Sequence, residues 1–135
     1  MICLDTNVVI GAITGRIPEF RARLNEHLGR RATVTMPVIA LYEMRYGNAK
    51  SDRREQSERI LDMFLAQGVG VLPFNEEDAR HAGDIRAHLE RCGEPIGQHD
   101  YLIAAQARCR NATLVTANGR EFQRVPGLIV TVWAA

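Results

Sequence analysis

Residues 1–10 read MICLDTNVVI, and the way this stretch ends decides how the rest is read. Ile2 to Leu4 has the composition of a buried strand, yet the run breaks on Asp5, Thr6 and Asn7. An acid at the carboxyl end of an apolar strand either caps the helix that follows or forms one wall of a ligand site. Taken alone, capping is the commoner use, and it is worth about 1 kcal/mol.

Downstream, short β-branched runs alternate with longer amphipathic stretches, the pattern of a parallel sheet with crossover helices. Strands are predicted at Ile2 to Asp5, Thr33 to Met36, Gly70 to Pro73, Thr113 to Thr116 and Leu128 to Val132. The expected architecture is therefore α/β, with a parallel, roughly five-stranded sheet flanked by helices. Helices are predicted over Pro18 to Leu28, from Pro37 to a stop near Gly47, over Ser51 to Ala66, from Asn75 or Glu76 to about Arg91, and over His99 to Arg108. The last of these carries Leu102, Ile103, Ala104, Ala105 and Ala107, a composition suited to close burial.

The chain has 135 residues, of which 46% are hydrophobic, enough for one sizeable core and too few for two ordinary domains, so a single domain over 1–135 is expected. Cys3, Cys92 and Cys109 are odd in number and widely spaced, with no C-x-x-C pair to suggest zinc or redox chemistry. Asp5 interrupts the first apolar run and no basic stretch precedes it, which argues against a signal peptide or membrane span. A reducing, cytoplasmic setting is expected. Net charge is only +1, but sixteen of the seventeen basic residues are Arg, with Lys50 the exception. Arginine's planar fork suits phosphate, although compositional bias explains the same count.

The remaining acids are more informative together than singly. Asp5 closes the first strand, Glu43 lies in a mainly apolar helical stretch between Tyr42 and Met44, and Asp100 opens the apolar helix. Asn118 and Glu121 follow the strand TLVT, again at a carboxyl end. If Asp5, Glu43 and Asp100 converge, their repulsion raises their pKa values, and a hard divalent cation relieves it. An all-oxygen set suits magnesium or manganese. Neutralising three of sixteen acids leaves thirteen against seventeen basic residues, a balance of +4 that tolerates a polyanion.

Four segments, LDTN from Leu4, ALYEMRYG around Glu43, HDYLIAAQA from His99 and LVTANGREF from Leu114, together resemble a PIN-domain nuclease of the VapC toxin type. The resemblance implies a three-layer PIN-like fold and a catalytic metal site built from Asp5, Glu43 and Asp100. It implies Mg2+, with Mn2+ as a substitute, and supporting roles for Thr6, Asn7 and Thr116. Many members carry a further Asp where this chain has Asn118, so one ion is expected more securely than two, with Asn118 or Glu121 left to supply the fourth oxygen.

The implied reaction is hydrolysis of an RNA phosphodiester by a metal-activated water, giving a 5′-phosphate and a 3′-hydroxyl. Arg120, Arg124 and His99 are the expected RNA contacts, whereas His27, His81 and His88 are predicted to be surface residues. Few aromatics flank the site in sequence, which gives base stacking little support and favours a folded RNA presenting a loop. The carboxyl-terminal stretch NGREFQRVPGLIVTVW resembles a subgroup that cuts initiator tRNA in its anticodon stem-loop. The family further implies a homodimer, a VapB-type antitoxin, and operator DNA bound only through that antitoxin.

Competing readings differ in specific residues. A haloacid dehalogenase-type phosphohydrolase needs a second Asp where Asn7 stands, and a response-regulator receiver needs a lysine near its last strands, far from Lys50. A PIN-like RNA- or protein-binding module without activity draws on Asn118, but gains nothing from three clustered carboxylates.

Overall fold

The computed structural model describes residues 1–134; Ala135, the last residue of the expected domain, lies outside the described residues. Five short strands, β1 (Ile2–Leu4), β2 (Val34–Pro37), β3 (Gly70–Leu72), β4 (Thr113–Thr116) and β5 (Ile129–Val132), pair in parallel in the order β3-β2-β1-β4-β5. Each lies within one residue of its predicted position. Around them run α1 (Thr6–Ile13), α2 (Pro18–Gly29), α3 (Val38–Lys50), α4 (Arg54–Leu65), α5 (Glu76–Arg91), α6 (Gln98–Cys109) and the single turn α7 (Gly119–Phe122).

This strand order has a functional consequence. From β1 the chain builds outward through β2 and β3, and then returns to β4 on the other side of β1 before β5. The switch point lies between the carboxyl ends of β1 and β4, where open parallel sheets leave a crevice for ligands. Cys3 is in register with Leu114, and the Asp5 N–H continues the ladder by donating to the Val115 carbonyl at 2.9 Å.

The central strands are buried because both faces are covered. Ile103, Ala104, Ala105 and Ala107 of α6 are fully buried, the small side chains of the three alanines permitting close approach. On α1, Gly11 fills a similar need: a Cβ there would lie 2.8 Å from the Phe20 ring. Asp78 on α5 is wholly buried and forms a forked ion pair with Arg110 at 2.7 and 3.0 Å, and Arg110 also donates to the carbonyls of Gln106 and Pro73. That pair locks the start of α5 to the end of α6. Burial alone would raise the Asp78 pKa, but the Arg110 fork and the Asn75 N–H hold it below the usual carboxylate range.

Three sequence expectations need correction. Gly47 does not stop α3, which continues to Lys50 with Gly47 on an exposed face. The helix expected from Ser51 begins at Arg54, because the Ser51 hydroxyl accepts from the Arg53 N–H in a turn. His27 and His81 are half-buried: His27 packs edge-on to Trp133, and His81 accepts from Arg108. No helix among the described residues is long and apolar enough to cross a membrane.

Candidate active site

The turn from β1 into α1 makes Asp5 both a cap and a wall. Its backbone is extended at the N-cap of α1, and its Oδ1 accepts from the Thr6 N–H at 2.7 Å. The other oxygen, Oδ2, accepts from the Thr116 hydroxyl at 2.9 Å. Thr116 ends β4 and accepts in turn from the Asn118 N–H at 3.1 Å. The two strands on either side of the switch point are thus joined through Asp5, which is only 5% exposed.

Glu43 reaches the same place from the middle of α3. Its Oε1 accepts from the Thr6 hydroxyl at 2.7 Å, and its Oε2 lies 3.3 Å from His99 Nδ1, so the carboxylate is oriented by α1 on one side and α6 on the other. Asp100 sits in the first turn of α6, where its N–H donates to the Gly97 carbonyl at 3.0 Å. Gly97 leaves room for the present Asp100 rotamer, since a Cβ would come within 2.8 Å of Asp100 Oδ2. Glu121, from α7, lines the same cavity as Asp100.

Asp5, Thr6, Asn7, Glu43, Asp100, Asn118 and Glu121, with Phe122 as an apolar wall, line one cavity of about 120 Å³. The electrostatics are strained as expected for converging acids. Burial raises the Asp5 pKa, opposed by the Thr116 and Thr6 hydrogen bonds and reinforced by Glu43 and Glu121. Burial, then Asp5, Glu121 and Glu43, push Asp100 up to about 7. At neutral pH this carboxyl is therefore partly protonated.

Among the described residues, no three Asp, Glu, His or Cys side chains close on a common point. The acids flank the cavity as separate walls. The donor set nevertheless fits a hard divalent cation: four carboxylates and the Asn118 amide, all oxygen, with strained protonation that positive charge would relieve.

The structure brings together every acid singled out in the sequence, and places Thr116 beneath them and His99 at their rim. It does not bring in the two arginines. Arg124 pairs with Glu94 at 3.3 Å and donates to the Pro95 carbonyl, and Arg120 is exposed outside the cavity lining. Gly97 and Phe122 were not singled out from sequence. A glycine two residues ahead of the HD pair was the available signal for Gly97, and nothing marked Phe122.

The described geometry matches known proteins over nearly the whole chain. The PIN domain family model matches residues 2–128. Ribonuclease VapC2 of Rickettsia felis is 38% identical over 130 residues, 96% of each chain, and the tRNA(fMet)-specific endonuclease VapC of Shigella flexneri is 37% identical over 131 residues, 97% of this chain and 96% of that one. In structure, the chain resembles one in the crystal structure of VapBC2 from Rickettsia felis bound to a promoter DNA fragment, with a TM-score of 0.91, 36% identity and coverage of 98% and 99% of the two chains.

Proposed function

This chain belongs to the PIN-domain family and, within it, to the VapC ribonucleases, and on that premise we propose that it hydrolyses an RNA phosphodiester at the acid-lined cavity between β1 and β4. The observation that carries the proposal is the convergence of Asp5, Glu43, Asp100 and Glu121 on one cavity at the switch point of the sheet. We read residues 1–135 as a single PIN domain.

Asp5, Glu43 and Asp100 are the residues assigned to hold a divalent cation, Mg2+ with Mn2+ as substitute. A cation bound there supplies the charge that activates water and stabilises the scissile phosphate. Thr6 fixes the face that Glu43 presents, and Thr116 does the same for Asp5. Glu121 lines the same cavity and adds to the negative charge around Asp100 that a cation would offset. Asn118 offers a neutral oxygen at the same wall, consistent with one firmly held ion.

The favoured substrate is a tRNA, with the initiator tRNA anticodon stem-loop as the leading candidate. The support is the 37% identity to an enzyme named for tRNA(fMet). By the same reasoning, the protein acts in the cytoplasm as a homodimer held in check by a VapB-type antitoxin, which alone carries the operator DNA contact. The supporting likeness is to a chain of the VapBC2 complex.

Expression in a bacterium, with Northern analysis of initiator tRNA, tests the reading. Growth arrest with accumulated tRNA halves, relieved by co-expressing a cognate VapB-type antitoxin, is the expected outcome. Arrest with intact tRNA would move the substrate to another RNA, and no arrest by folded protein would favour a module without activity.

A further inference from the structure

Beside the acid cavity stands a surface that the hydrolytic residues do not explain. Tyr42 precedes Glu43 on α3 and is 56% exposed, although in sequence it reads as part of an apolar stretch. Its ring meets His99 edge-on, with centroids 5.5 Å apart and planes at 79°. His99 in turn touches Glu43, so the aromatic pair borders directly on the acids. An open hollow of about 250 Å³, lined by Glu43, Gly97, Gln98, His99 and Asp100, shares two acids with the central cavity.

The feature continues along the helix. Tyr46, one turn beyond Tyr42, is also 56% exposed, and Lys50 Nζ lies 5.1 Å from its ring centroid. Spacing of four residues puts Tyr42, Tyr46 and Lys50 on one helical face. Two exposed rings followed by the chain's single lysine make a poor hydrophobic core but a good track for a nucleic acid strand, whose bases stack on aromatic faces while its phosphates meet the cation.

We propose that Tyr42, supported by His99, is the platform on which the nucleobase next to the scissile phosphate stacks, and that Tyr46 and Lys50 receive the next base and phosphate. The proposal rests on the nuclease reading and adds to it a binding register on one side of the cut. It also departs from the expectation that base stacking has little support because few aromatics flank the site. The RNA segment read this way is unpaired, since a base within a duplex has no free face to offer.

The test uses Asp100→Asn protein, in which bound RNA stays intact, and measures retention of end-labelled unfractionated tRNA on filters with and without Tyr42→Ala. Tyr42→Ala is expected to weaken retention about tenfold, with Tyr42→Phe, which keeps the ring, restoring it and thermal stability unchanged throughout. Equal retention with and without Tyr42→Ala overturns the platform; if the Asp100-containing protein still cuts tRNA, the nuclease reading stands. Neither cutting nor retention by any variant overturns both. Sedimentation provides the last arm: a Tyr42→Ala protein that loses RNA only because a dimer dissociates overturns the platform and marks the face as a self-association surface.

Discussion

Thr6 Oγ1 donates a 2.7 Å hydrogen bond to Glu43 Oε1, tying the first residue of α1 to the middle of α3 across 37 positions of sequence. The neighbouring Thr6 N–H donates to Asp5. One threonine therefore orients two of the acids, through its backbone and its side chain separately.

Replacing Thr6 with Val removes only the hydroxyl contact. Loss of an orienting partner of this kind is expected to weaken divalent-cation binding about 10- to 100-fold, with Thr6→Ser restoring most of it. Calorimetric titration with Mn2+ gives the measurement. Stability should change by no more than about 1 kcal/mol, because the threonine lies at a half-buried edge and its backbone contact survives.

The raised pKa of Asp100 makes a signed prediction for the metal-free protein. A carboxyl that titrates near 7 when folded and lower when unfolded gives stability that is complete in acid and is lost as pH rises through about 7. Asp100→Asn should match the parent near pH 4 and exceed it at pH 8. Allowing for water screening at a partly open site, the expected gain is about 1–2 kcal/mol, visible as a few degrees in Tm. Mg2+ should stabilise the parent at pH 8 much more than the variant. A difference in Tm that does not vary with pH would contradict this account.

Asp78 behaves with the opposite sign. Its depressed pKa gives stability present above the ordinary carboxylate range and lost as pH falls through its lowered value. Removing Arg110 with Ala leaves a fully buried carboxylate unpaired, at a cost of about 3–5 kcal/mol in urea unfolding. Pairing Asp78→Leu with Arg110→Met should recover much of that loss.

Gly97→Ala is expected to act locally. The added Cβ would press on Asp100 Oδ2, which must swing away from its present place. Cleavage should fall by about tenfold or more while the Tm stays within a few degrees, and a fully active Gly97→Ala protein would show that Asp100 has room to move.

The legibility of these features in sequence has physical causes. β2 and β4 are buried almost throughout, rich in β-branched residues and bounded by breaks, so their pattern is hard to misread, and the mostly exposed edge strands β3 and β5 are marked by their apolar runs between breaks. By contrast, α1 (TNVVIGAI) is nearly apolar all round and shows no helical period, so the chain after Asp5 could be read as a capped helix without its extent being fixed. Gly47 misleads because a glycine inside a helix and one at its end look alike when the position is exposed. Among the site residues, Asp5 and Asp100 sit at element boundaries that sequence marks well. The placement of Glu121 in one cavity with Asp100 and the Arg124 pair with Glu94 join distant segments, and no local pattern encodes them.

Cleavage of end-labelled unfractionated tRNA by the antitoxin-free protein in Mg2+ tests the central claim most directly, run beside Asp100→Asn and a chelator control. The account expects discrete cuts ending in 5′-phosphate and 3′-hydroxyl that disappear in both controls. Cuts that persist in chelator, or that leave a cyclic phosphate, would contradict hydrolysis at the Asp5, Glu43 and Asp100 site.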